Sequence, residues 1–172
     1  MPDFTKNSLS KPPYDPRVVA NYLLKWGQDN DIKITQLKLL KLFYFCYGWY
    51  LIQNKRPLTK NDFEAWQHGP VSRCIRKEFS QFKSAPITKL AFIRNPYSGD
   101  CFYADPSNIA NTDIYFLDSI LALYGKYSGT ELSNLSHEEG SPWDIIWNGK
   151  DKKARIGLRI SDQDIMTHFE LA

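Results

Sequence analysis

The sequence predicts a mainly α (α+β) fold: a compact helical domain around a central buried helix, with a small β-hairpin. Three observations predict it. Several segments carry apolar residues at helical spacing behind a capping residue. Residues 42–52 form an uncharged apolar run inside a longer candidate helix. A turn motif also separates two short β-prone segments. With 172 residues, of which 42% are hydrophobic, the chain is long enough to bury a core without metal or disulfide support.

The chain is expected to begin with a flexible tail at residues 1–14, which contains three prolines. A single domain is expected to follow at residues 15–172. Asp15-Pro16 predicts the start of a first helix, because aspartate caps helices and proline is tolerated at the first helical position. Thr35 predicts the cap of a second helix over residues 36–54. This helix is apolar on all sides in its second half, so we expect it to be buried on all sides.

Residues 63–66 are predicted to be a short connecting element, and Gly69-Pro70 to start a third helix. The turn motif at residues 95–99 predicts a minor hairpin between residues 86 and 104. Thr112 is predicted to cap a fourth helix that closes near Gly129.

The C-terminal part predicts three further helices. A short helix is expected over residues 130–136, and Ser141-Pro142 predicts another over residues 143–147. Ser161, with Asp164 three positions later, resembles a capping box and predicts a last helix to about residue 169.

Composition excludes several classes of function. The formal net charge of +3 is too small to indicate nucleic acid or an anionic membrane as the partner. The cysteines Cys46, Cys74 and Cys101 form no CxxC pair, so neither a disulfide framework nor a zinc ribbon is predicted. Without an apolar leader or an apolar run of about 20 residues, we expect a cytoplasmic protein. We expect no metal and no cofactor.

Two motifs resemble a known family, the SocA-like antitoxins or Panacea domain. They are Glu64-Ala-Trp-Gln-His-Gly-Pro-Val71 and His137-Glu-Glu-Gly-Ser-Pro-Trp143. The Leu/Lys-rich stretch at residues 34–45 adds to the similarity, which extends over roughly residues 17–170. The sequence departs from the family after Val71, where Ser-Arg-Cys-Ile-Arg76 replaces a more usual proline and tyrosine.

The resemblance implies a mainly helical, phage- or genetic-element-associated domain that binds other proteins. It implies an antitoxin without catalytic activity that neutralises a partner toxin, encoded nearby, by direct binding. A Clp-type protease is a further implied partner, since one type of member delivers its toxin to such a protease as an adaptor. The toxin's identity, the binding surface and the oligomeric state do not follow from the sequence.

The candidate partner-binding residues lie in the two specific motifs. Trp66, His68, Gly69 and Pro70 form a predicted tight turn that is either structural or a contact surface. His137, Glu138, Glu139 and Trp143 form the second candidate. There a histidine and a carboxylate are expected to bond the free N–H groups at the next helix start and to hold Trp143. The charged rim near Lys150 is a weaker candidate.

Two alternatives stay open at this point. One is a hydrolase or other enzyme that uses His68 and the region of His137, Glu138 and Glu139, although no second histidine has metal-ligand spacing. The other is a phage-encoded protein that interacts with the host. Arg73 and Arg76 are expected to lower the pKa of Cys74, but no base adjacent in sequence supports it as a nucleophile.

Overall fold

The computed structural model describes residues 11–149 and 157–172. These residues form a mainly α fold, as predicted, with small antiparallel sheets. The helices are α1 (Pro16–Asp29), α2 (Gln36–Asn54), α3 (Arg73–Glu78), α4 (Asn111–Tyr124), α5 (Gly129–Ser136), α6 (Pro142–Asn148) and α7 (Asp162–Leu171). The strands are β1 (Phe63–Trp66), β2 (Gly69–Ser72), β3 (Phe92–Arg94), β4 (Cys101–Tyr103) and β5 (Arg159–Ile160).

Helix α2 is the centre of the fold, with the bounds that the sequence predicts. Thr35 caps it by accepting a hydrogen bond from the backbone N–H of Lys38, and Lys55 ends it in the left-handed region at φ 53°. Helices α1, α4, α5 and α7 and strand β2 pack around it. Its large buried side chains form the middle of the core: Leu39, Leu42, Phe43, Tyr44, Phe45, Tyr47, Tyr50 and Leu51.

The folded domain begins earlier than predicted. Asp15 caps α1 through the N–H of Arg17, as expected, but Tyr14 is already part of the core at 2% exposure. Its backbone exchanges hydrogen bonds with Leu58 and Lys60, and its hydroxyl donates to Asp113 at 2.6 Å. The predicted tail boundary at residue 14 is therefore wrong at that residue, because tyrosine can bury its ring and still satisfy its hydroxyl.

The third helix begins later than predicted. Gly69–Ser72 is strand β2, which pairs antiparallel with β1, and α3 starts at Arg73 with Ser72 as its cap. The connecting element predicted at residues 63–66 is strand β1, and β5 pairs with its other edge to give the order β2-β1-β5. A glycine–proline pair is compatible with either element. Pairing with β1 across a two-residue turn selects the strand, and β5 pairs with the other edge of β1.

The remaining elements largely confirm the prediction. Strands β3 and β4 form the expected hairpin, and Ser161 and Asp164 make the expected capping box of α7. The exception is α4, which begins at Asn111 without a side-chain cap and ends at Tyr124. Thr112 is thus inside the helix, and the predicted end near Gly129 is too late because Ser128 already caps α5 there.

Replacing Leu42 by Ala tests the central position of α2. Leu42 is fully buried, so the substitution is expected to lower the free energy of unfolding by about 2–5 kcal/mol through lost burial and a new cavity. The measurement is urea denaturation followed by circular dichroism. Leu123 is 60% exposed, so Leu123→Ala is the matched control and should change stability by less than about 0.5 kcal/mol. Equal losses in the two variants would contradict the burial of α2.

Candidate functional site

The structure brings the two candidate motifs together. One is the β1–β2 turn at residues 66–70, and the other is the α5–α6 turn at residues 137–143; we call them the paired turns. The indole N–H of Trp143 donates to the carbonyl oxygen of Trp66 at 2.6 Å. The Ser133 hydroxyl donates to the carbonyl oxygen of His68 at 2.8 Å. Two segments about 70 residues apart in sequence therefore form one surface.

Trp143 locks the second turn against the first. Its side chain is 7% exposed and stacks on the ring of His137 with 3.7 Å between centroids. At the start of α6, Ser141 accepts from the N–H of Asp144, whose carboxylate accepts from the N–H of Gly140.

The capping role predicted for His137 and a neighbouring carboxylate is wrong, because the side chain of Ser141 caps α6 by accepting from the N–H of Asp144. His137 holds Trp143 by stacking instead. Its Nε2 atom is buried and has no hydrogen-bond partner within the described residues. Burial lowers the pKa of His137, and the nearby charges of Lys41 and His68 lower it further. A neutral imidazole is the form that suits this site.

A fully buried lysine supports the first turn from below. The Nζ atom of Lys41, on α2, donates to the carbonyl oxygen of Pro70 at 2.9 Å. Burial lowers the pKa of Lys41 from 10.5 to about 7. Lys41 is not among the candidate residues predicted from the sequence. The signal that could have identified it is a lysine within a helix whose apolar residues leave no solvent-facing side.

Gly69 is required where the turn crosses Lys41. Its φ of +109° is a conformation that side chains disfavour. A Cβ atom there would lie 2.6 Å from both Lys41 Nζ and Ser136 Oγ. The turn, the lysine and α5 therefore pack too closely for any other residue.

The candidate residues divide by exposure. His68, Glu138 and Glu139 are exposed, Trp66 and His137 are partly buried, and Gly69, Pro70 and Trp143 are buried. The last three hold the paired turns in place and offer little surface to a partner. Lys150 lies outside the described residues.

Trp66 is held at the edge of the paired turns by charged neighbours. Its indole N–H donates to Glu64 Oε2 at 2.9 Å, and Arg73 pairs with the same carboxylate at 3.6 Å. The Arg76 guanidinium lies over the ring, 5.2 Å from the centroid, where a cation is attracted to the aromatic face. A cleft of about 410 Å³ opens between Trp66, Arg73 and Trp147.

The chemistry of the other candidates is limited. The expected effect of Arg73 and Arg76 on Cys74 is wrong, because burial outweighs nearby charge and raises the pKa of the thiol. Within residues 11–149 and 157–172, no group of three His, Cys, Asp or Glu side chains is placed to hold a metal ion. No helix in this part of the chain is long and apolar enough to cross a membrane.

Comparison with known proteins identifies the class. Residues 39–144 match the family described as "Antitoxin SocA-like, Panacea domain", and both paired turns lie within that range. The chain belongs to this family of antitoxins. It is 36% identical over 170 residues to "Antitoxin SocA" from Caulobacter vibrioides (strain NA1000 / CB15N), covering 98% of this chain and 88% of the relative. No solved structure matches the chain.

Gly69→Ala is expected to destabilise the protein more than Gly140→Ala. Both glycines have positive φ, but the Cβ at Gly140 would meet no atom within 4 Å. Gly140→Ala therefore carries mainly backbone strain, whereas Gly69→Ala also displaces Lys41 or Ser136. We expect the free energies of unfolding of the two variants to differ by about 1–3 kcal/mol, as for overpacked sites. Equal values in urea denaturation would show that Lys41 does not crowd the turn.

The burial of Lys41 predicts a pH-dependent contribution to stability. Because its folded-state pKa of about 7 lies below its ordinary value of 10.5, the unfolded chain binds the proton more readily between these pH values. Stability contributed by Lys41 should therefore rise as the pH rises from 7 towards 10, by at most about 1.4 kcal/mol per pH unit.

Lys41→Met provides the comparison, since methionine is also unbranched, is only one atom shorter than lysine and cannot titrate. The measurement is the difference in unfolding free energy between the native protein and the variant at pH 7, 8 and 9. The difference should move in favour of the native protein at each step. A constant difference would mean that Lys41 has an ordinary pKa in the fold.

Proposed function

We propose that this protein is the antitoxin of a toxin–antitoxin pair and that it binds its toxin directly through the paired turns. The observation that carries the proposal is the junction between Trp143 and Trp66. It holds two separated segments as one surface inside the region that matches the antitoxin family. A surface that is fixed before binding loses little conformational entropy on association.

The proposed contact residues are the accessible members of the paired turns: Trp66, His68, Glu138 and Glu139. Tryptophan is favoured at the centre of protein interfaces because its large ring contributes much buried area. The buried members have a different role in this proposal. Trp143 joins the turns, His137 packs against Trp143, and Gly69 and Pro70 shape the first turn above Lys41.

The proposed partner is a protein toxin encoded by a neighbouring gene, met in the cytoplasm. Neutralisation by occupation of the toxin's surface requires no catalytic group in the antitoxin. A Clp-type protease is a second proposed partner, to which the protein would deliver the bound toxin. The relative's printed name, "Antitoxin SocA", supports the antitoxin role.

Expression of the neighbouring open reading frame tests the proposal. Expressed alone, it should arrest growth, and coexpression of this protein should restore growth and give a complex that copurifies. Trp66→Ala should weaken the complex at least tenfold, as expected for a central interface tryptophan. Tyr97, 98% exposed on the β3–β4 hairpin, provides the control Tyr97→Ala, which should bind normally.

Two outcomes would contradict the proposal. One is a harmless neighbour that does not bind. The other is turnover of a substrate that His137→Ala abolishes while the fold is preserved, which would indicate an enzyme. Delivery to a protease is measured separately, as a shorter lifetime of the bound toxin in cells that contain the Clp protease than in cells that lack it.

A further inference from the structure

We propose that Trp66 and the basic side chains of α3 bind an acidic segment of the toxin. In this arrangement an apolar side chain of the segment packs beside the Trp66 ring, and its carboxylates pair with Arg73, Arg76 and Lys77. The proposal rests on the proposed function and specifies the chemistry of the partner at one edge of the paired turns.

The first observation is a cleft of uniform charge. A cleft of about 450 Å³ lies on the α3 side of Trp66, and its lining residues are Trp66, Arg73, Cys74, Arg76, Lys77 and Ser80. Three of these are cations, and no carboxylate is among the lining residues that the structure describes. Burial raises the pKa of Cys74, so its thiol stays neutral and adds no negative charge.

The acidic residues nearby do not line the cleft. The buried carboxylate of Glu64 accepts the indole N–H of Trp66 and pairs with Arg73. Glu78, on the same helix, acts electrostatically on Arg17 and on Cys74 but does not itself line the cleft. Arg76 and Lys77 therefore lack a carboxylate lining the same cleft, and Arg73, whose side chain is 74% exposed, keeps most of its donors accessible.

Arg76 is fixed in position before any partner binds. Its guanidinium donates to Gln36 Oε1 at 2.8 Å, and Gln36 Nε2 donates back to the Arg76 carbonyl oxygen at 2.9 Å. The guanidinium also lies over the Trp66 ring. Since a guanidinium has five N–H donors, the bond to Gln36 leaves others for a carboxylate, and the fixed geometry reduces the entropy lost on binding.

The combination favours a protein segment over a nucleic acid. Three cations in one small cleft can pair with one or two carboxylates. Trp66 can pack against a neighbouring apolar side chain of the same segment. Nucleic-acid sites usually neutralise a longer series of phosphates, and the chain has a formal net charge of only +3. Binding of a nucleic acid is the competing result that the experiment distinguishes.

The test measures the affinity of the full-length protein for the purified product of the neighbouring toxin gene by isothermal titration calorimetry. Arg76→Gln and Lys77→Glu should each weaken binding at least tenfold. Added salt should weaken binding of the native protein more than that of either variant, because fewer ion pairs remain to be screened. Arg94, exposed on the β3–β4 hairpin, gives the charge-matched control Arg94→Gln, which should change the affinity less than twofold.

Lys77 is exposed, so Lys77→Glu keeps the test informative if loss of the Gln36 contact unfolds Arg76→Gln. Unchanged toxin affinity in Lys77→Glu and in folded Arg76→Gln would overturn this inference and leave the proposed function intact. Absence of toxin binding by the native protein would overturn both. Arg76-dependent binding of a 12-nucleotide single-stranded DNA, without Arg76-dependent binding of the toxin, would assign the cleft to nucleic acid and also overturn the inference.

Discussion

The whole architecture depends on the need to cover α2 on every side. A helix that presents aromatic and aliphatic side chains in all directions must be surrounded, and the chain surrounds it with helices from before and after it in sequence. Burial leaves the side chains of Lys38 and Lys41 little contact with solvent. Lys38 and Lys41 donate instead to the carbonyl oxygens of Gly125 and Pro70, so the buried amines link α2 to the C-terminal end of α4 and to strand β2.

The arrangement of the paired turns, the proposed partner-binding surface, follows from the same constraint. Lys41 donates to the carbonyl oxygen of Pro70 from the core side of the first turn. Trp143 and Ser133 donate to the carbonyl oxygens of Trp66 and His68 and so join α5 and α6 to that turn. The turn at residues 66–70 is thus supported by the core on one side and by α5 and α6 on the other. For an antitoxin, this places accessible side chains such as His68 on a rigid base, with the charged groups of α3 at the adjoining edge.

Local signals predict the helices well. Asp15-Pro16, Thr35 and Ser161 mark their helix starts correctly because capping depends only on neighbouring backbone N–H groups. The prediction that Thr112 caps α4 is wrong, because a threonine can lie at the cap or inside the first turn of a helix. No sequence rule separates these two positions.

Non-local contacts explain the other differences between prediction and structure. The strand at Gly69–Ser72 pairs with β1 across a two-residue turn, and the non-local contribution is the pairing of β1 with β5 almost a hundred residues later. The two motifs that contain the candidate residues can be identified in the sequence. Their contact in the folded protein cannot be predicted from it. Likewise, the burial of Lys41 depends on a carbonyl group 29 residues away.

The ring of Phe169, near the end of the chain, packs directly against Gly48 of α2, where a Cβ atom would lie 2.4 Å from that ring. A chain interrupted before residue 169 would leave part of the aromatic surface of α2 uncovered, and an exposed apolar patch of this kind favours aggregation and degradation.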